Sequence, residues 1–121
     1  MTSGLARLQE NERLALAEYV GRLKAAASRR VQNMVLFGSK ARGDAGPDSD
    51  LDVLVIVDSY DNQIDRLVTR TASRVSLEYD TLINTHIVTA ARWAEMRQWA
   101  ATLWREVQRD GVPLLPELAS A

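Results

Sequence analysis

At 121 residues, 46% apolar and 26% charged, the chain has the ordinary globular mixture and enough length for one domain with a modest core. Its formal net charge of −1 excludes a global basic field of the kind that draws a protein to nucleic acid, although a local basic patch stays open. With no cysteine, disulfides, thiolate metal sites and cysteine nucleophiles are excluded. Met1 to Glu10 lack a charged region followed by a continuous apolar core, and the longest apolar runs fall far short of a membrane span. The expectation is a soluble, cytoplasmic protein of one domain over 1–121, with no membrane association.

In chain order, Leu5, Leu8, Leu16, Val20 and Leu23 share one stripe at 100° per residue, predicting an N-terminal helix over about 5–28. Glu12 interrupts that stripe, and Asn11 is a candidate cap. Val31 to Phe37 lacks helical period and stops at Gly38, as a strand does. Gly38-Ser39 turns the chain into a short helical turn over Lys40 to Arg42, followed by a loop punctuated by Gly46-Pro47. Leu51 to Val57 is apolar at nearly every position, which suits a central strand buried on both faces.

Asp61 or Asn62 caps a predicted helix from about Gln63 to Leu77, and Thr81 to Val88 reads as a third strand. Ala90 to Asp110 is predicted as one helix with Trp93, Met96, Ala100, Leu103, Trp104 and Val107 on its inner face. Trp99 lies at the edge of that stripe, as a core residue or an exposed anchor for a partner. Gly111 is placed to end the helix in the left-handed conformation. Val112 to Leu115 adds a short edge strand, and 116–121 is expected to be a loose tail. The sum is a small α/β (α+β) domain: a mixed β-sheet flanked by helices, with a core over about 31–89 and a C-terminal helix over 90–110.

The chemistry concentrates in Val35 to Asp58, VLFGSKARGDAGPDSDLDVLVIVD. Side chains two apart on a strand share a face, so Asp50 and Asp52 project together, roughly 6–7 Å apart. At an effective dielectric near 20 they repel by about 2–3 kcal/mol, which a divalent cation would offset. Two ions would clamp the attacking and leaving oxygens of an in-line displacement. Opposite them, Gly38 lets backbone N–H groups approach a phosphate, Ser39 adds a hydroxyl, and Arg42 can grip phosphate oxygens. Gly38-Ser39-Lys40 is not a Walker A loop, because the Gly-Lys-Ser/Thr order is inverted. Arg42 is alternatively a surface arginine paired with Asp44 or Asp48, and Lys40 is expected to face solvent. The bland reading of Asp50 and Asp52 is a polar strand end.

GSKARGDAGPDSDLDVLV resembles the signature of minimal nucleotidyltransferases of the DNA polymerase β superfamily, G-S-x-A-R-G followed after a short gap by S-D-x-D. Every fixed position is present over about twenty residues. The resemblance implies a polymerase β-like nucleotidyltransferase fold, with Gly38 and Ser39 holding a triphosphate alongside Arg42 and Ser49. It also implies that Asp50 and Asp52 bind two Mg²⁺ ions. The implied reaction moves a nucleoside monophosphate, by default AMP from ATP, onto a hydroxyl. Active members generally carry a third carboxylate on a later strand. Here Asp80 is the only carboxylate near enough to be that catalytic and metal-binding residue; if the position is Asn84 or His86, the ligand is lost.

The ending from Trp104 to Leu114 is similar to tails of members that accompany small helical HEPN proteins. The resemblance therefore implies an antitoxin of a HEPN/MNT toxin–antitoxin pair, with a protein acceptor and a possible oligomer. A module that binds nucleotide and neutralises its partner by contact is the alternative. A small-molecule acceptor is disfavoured by the chain's size, and a nucleic-acid polymerising role by its charge. The row Arg66, Arg70, Arg74 reads as a solvated ridge or a surface for an acidic partner.

Overall fold

The computed structural model describes residue 5, residues 8–44, residue 46 and residues 49–115. Its element order is α1 (Glu10–Ala27), β1 (Val31–Phe37), α2 (Gly38–Arg42), β2 (Leu51–Val57), α3 (Asn62–Tyr79), β3 (Ile83–Thr89), α4 (Ala90–Gln98), α5 (Thr102–Asp110) and β4 (Val112–Leu115). The expected mixed sheet is present, in the order β3-β2-β1-β4. β1 runs antiparallel to both β2 and β4, while β2 and β3 are parallel. No helix among the described residues is long and apolar enough to cross a membrane.

β2 is the strand on which both layers rest. Its odd positions, Leu51, Val53, Val55 and Val57, join Leu16, Tyr19, Val20, Leu23, Val68 and Val75 in the larger core, under α1 and α3. Its even positions, Leu54 and Ile56, join Val35, Phe37, Val88 and Val107 in a smaller core, under α4 and α5. Each fully buried side chain of this size contributes roughly 1.5–3 kcal/mol, so the apolar residues of β2, Leu51 and Val53 to Val57, are what fasten the two layers together. In the larger core the Tyr19 hydroxyl donates to the Val68 carbonyl at 3.0 Å, and burial raises its pKa far above the usual tyrosine range.

The expected boundaries hold for β1, β2 and β4, and Asp61 caps α3 by accepting from the Ile64 N–H at 2.9 Å. Elsewhere the structure corrects the expectation. α1 begins at Glu10, and the side chain of Asn11 does not cap it but donates to the carbonyls of Tyr79 and Asp80 at the end of α3. The predicted C-terminal helix is two helices. Trp99 to Ala101 separates them, with Ala100 in the left-handed conformation at φ 50°. The Ala101 N–H reaches Met96 O and the Ala100 N–H reaches Arg97 O, the paired bonds of a Schellman end. No glycine or proline marks this break, so the stripe reads through it.

None of the three tryptophans is fully buried. Trp93 is half-buried against the smaller core, Trp104 is half-buried, and Trp99 is exposed. Gly111 is extended (φ −62°, ψ 137°) rather than left-handed. Close packing is what demands a glycine there: a Cβ would sit 2.3 Å from Val107 O and 2.8 Å from Val35 Cγ1. The expected loose tail at 116–121 and the Pro47 turn lie outside the described residues.

Candidate active site

The site forms at the sheet end where β1 stops and β2 and β3 begin. Phe37 pairs with Asp52 across β1 and β2, and Asp52 pairs with Asn84 across β2 and β3. Strand alternation sends Asp52 to the face shared by Leu54 and Ile56, under the thinner α4/α5 layer. Asp52 is half-buried at the rim of that layer, and Asp50 is also half-buried just before the strand starts.

Gly38 follows Phe37 and has φ +79°, a conformation that L side chains rarely adopt. Its Cα lies so close to Asp52 that an added Cβ would stand 2.6 Å from Asp52 Oδ2. The glycine-serine turn and the second carboxylate thus touch, and glycine is required for two independent reasons. α2 starts at Gly38, and Phe37, at its N-cap position, gives no side-chain cap to the first N–H groups of that turn. Gly43 closes the turn at φ 83°, with the N–H groups of Gly43 and Asp44 both reaching Ser39 O.

The other oxygen of Asp52 faces β3. Asn84 Nδ2 donates to Asp52 Oδ1 at 3.1 Å, and His86 Nε2 lies 3.4 Å from the same oxygen. The His86 ring stacks edge-on against Phe37 with centroids 5.0 Å apart. An amide and an imidazole therefore flank Asp52 on the neighbouring strand.

Asp80 is elsewhere. It is the C-cap of α3 with φ 53°, and its N–H bonds to Ser76 O. α3 packs on the opposite face of the sheet, and Asp80 precedes β3 by three residues. It lines a small polar recess with Gln9, Asn11, Glu12, Ser49, Thr81 and Leu82. Among the described residues no group of three His, Cys, Asp or Glu side chains is gathered around one metal-sized site, so Asp80 is not grouped there with Asp50 and Asp52, whereas Mg²⁺ needs only one or two carboxylates beside substrate phosphates. The left-handed cap is the physical reason: the chain turns the corner at Asp80 and only then enters the strand beside Asp52.

Arg42 is engaged by Asp44 Oδ2 at 3.1 Å and Asp110 Oδ2 at 3.6 Å, which is the pairing alternative. Hydrogen bonding to Asp44 first, then its charge and that of Asp110, outweighs burial and raises the Arg42 pKa. Ser49 is half-buried one residue before Asp50. Lys40 departs from expectation, being buried against Glu12. Arg66, Arg70 and Arg74 are exposed along α3. Sequence reasoning missed Glu12 as a partner of this turn. The available signal was a carboxylate inside an apolar stripe, which has to find a cation.

A family described as "Nucleotidyltransferase domain" matches residues 16–100, a span holding both the Gly38-Ser39 turn and the Asp50/Asp52 pair. The chain belongs to the nucleotidyltransferase domain family. It is a nucleotidyltransferase, and its fold is that of the family. It is 32% identical over 102 residues to the Methanocaldococcus jannaschii "Putative protein adenylyltransferase MJ0604", covering 84% of this chain and 95% of that one. A solved structure described as a "putative minimal nucleotidyltransferase" matches with a TM-score of 0.53 at 28% identity, over 87% of this chain and 96% of the other. A toxin–antitoxin crystal structure with AMP-PNP matches with a TM-score of 0.56 at 20% identity, over 81% of this chain and 71% of the other; at that identity it speaks for the fold.

The donor set fits a divalent cation. Asp50 and Asp52 are two half-buried carboxylates on one strand end, and a hard cation prefers such oxygens. Asn84 and His86 hold Asp52 Oδ1, which fixes the carboxylate's orientation in the manner of outer-shell partners.

Proposed function

We propose that the protein transfers AMP from ATP to a hydroxyl of a partner protein in a Mg²⁺-dependent reaction, as the antitoxin of a HEPN/MNT pair. The observation that supports the reading is the close approach of the Gly38 turn to Asp52; in this reading the turn is the phosphate cradle and Asp52 a metal-binding carboxylate. In this reading Gly38 and Ser39 present backbone N–H and hydroxyl donors to the triphosphate, and Ser49 borders the same end of the sheet. Asp50 and Asp52 hold the Mg²⁺, which supplies charge neutralisation at the phosphoryl oxygens. Asn84 and His86 keep Asp52 turned toward the cradle. The named protein adenylyltransferase relative supports AMP and a protein acceptor, and the fold shared with the toxin–antitoxin structures supports the partner.

A second reading follows from one observation. The strand position beside Asp52 carries Asn84 rather than a third carboxylate. A nucleotide-binding module that restrains its partner by contact would look the same.

The test is label transfer onto the helical partner protein, using ATP labelled at either the α- or the γ-phosphate, with Mg²⁺. Transfer of α-label alone, abolished by Asp50→Asn/Asp52→Asn, is the expected result. Tight partner binding and Mg²⁺-dependent ATP binding without label transfer would establish the contact module instead.

A further inference from the structure

Among the described residues two charged side chains are buried, Glu12 and Lys40, and they meet each other. Lys40 Nζ lies 2.6 Å from Glu12 Oε2. The other oxygen, Oε1, accepts from the Gln9 N–H at 2.9 Å, so both carboxylate oxygens are engaged. Glu12 stands in the first turn of α1, outside the residues that match the family. Lys40 is the residue immediately after Ser39.

Burying two opposite charges is a poor way to gain stability, because desolvation consumes most of their attraction and an apolar pair would pack as well. What an ion pair supplies that packing does not is a fixed direction. Here that direction acts on a five-residue element that is otherwise anchored through Ala41, buried in the larger core, and by packing against β1, β2 and α5. α2 is tied to α5 at its far end by Arg42 and Asp110, while the Gly38-Ser39 end has Lys40 as its tie to α1. The Lys40 side chain is 8% exposed and its ammonium is engaged with a carboxylate, which removes it as a phosphate ligand.

We propose that the Lys40–Glu12 pair is the positioning device of the nucleotide site: Glu12, from α1, holds Lys40 so that the Gly38-Ser39 turn faces the triphosphate beside Asp52. The inference rests on the nucleotide cradle assigned above and adds Glu12, outside the motif, and Lys40, at its variable position, as the residues that set its geometry. Neither residue takes part in the chemistry.

The experiment measures binding of ATP with Mg²⁺ by calorimetry in the full chain, with melting followed by circular dichroism. Glu12→Gln leaves every motif residue in place and cannot itself reach a phosphate. It is expected to weaken ATP binding about tenfold, in line with the steep cost of small displacements in a positioned site, and to raise the KM for ATP with kcat little changed. Glu12→Met/Lys40→Met replaces the pair by apolar side chains. It is expected to regain the wild-type melting temperature while its ATP affinity stays weakened, and it serves equally if Glu12→Gln fails to fold.

A double variant that binds ATP as wild type does would overturn the proposal and leave the pair as packing. Loss of affinity in Lys40→Met with none in Glu12→Gln would also overturn it, by making Lys40 a phosphate ligand. Wild-type protein that binds no ATP would remove the cradle itself, whereas binding wild type with unaffected variants removes only the role of the pair.

Discussion

Gly38→Ala is the sharpest test of the site, because two separable penalties meet at one atom. Gly38 has φ +79°, and a left-handed residue with a Cβ costs roughly 1–2 kcal/mol. For a chain of this length that corresponds to a melting temperature lower by about 4–8 °C. The second penalty falls on Asp52. The new Cβ would stand 2.6 Å from Oδ2, so the carboxylate must retreat by about 0.8 Å to recover an ordinary contact of 3.4 Å. Rotating it away strains the 3.1 Å hydrogen bond that Asn84 makes to its other oxygen. Displacements of about 1 Å at a reacting centre cost up to ~10²-fold in rate, so nucleotidyl transfer should fall by roughly that factor. The assay is α-label transfer at several Mg²⁺ concentrations beside thermal melts. A double-mutant cycle with Asp52→Ala separates the parts: without the carboxylate only the backbone penalty remains, so the two changes should couple. Transfer within about twofold of wild type in Gly38→Ala would refute the claim that Gly38 and Asp52 are pressed together, given the loss such a displacement entails.

Asp80→Gly separates the helix cap from a catalytic role: with φ 53° relieved, melting should rise by a few degrees and transfer should be retained, as initial rates will show. Ala100→Gly relieves the same kind of strain between α4 and α5, and should stabilise by ~0.5–1 kcal/mol in urea denaturation. Stability should also depend on acidity. The Asp61 carboxyl is held below its usual range chiefly by the Ile64 N–H, with Arg30 adding to this against burial. For Asp110 the main cause is Arg109, again against burial, with Arg42 contributing. Carboxylates lowered in the folded state stabilise fully above the ordinary range near about pH 4, and that contribution is lost as pH falls through the folded values. Melting temperature should therefore hold from neutral pH to about pH 5 and decline below, and Asp61→Asn, which still caps, should flatten that decline.

The strands were readable because each is bounded by a signal in its own residues. Val31 to Phe37 ends at a glycine, and Leu51 to Val57 is so uniformly apolar that only a central strand accommodates it. The break after Gln98 was not readable, because its left-handed residue is an alanine and the apolar stripe continues past it. The tertiary structure also decided the fate of the tryptophans: α4 buries no residue fully, so Trp93 is only half-buried against the smaller core, and Trp99 falls in the break between the helices.

The site divides along the same line. Its local parts, the Gly38-Ser39 turn after β1 and the placing of Asp52 at the start of β2, follow from neighbouring residues, so the sequence alone determined them, and with them the family. Its long-range parts do not follow from any local pattern. The parallel register that puts Asn84 and His86 beside Asp52, the helix cap that leaves Asp80 on the opposite layer, and the pairing of Glu12 with Lys40 across 28 positions depend on which elements pack together. Those choices are made by the burial of β2 between two unequal layers, and only the folded chain expresses them.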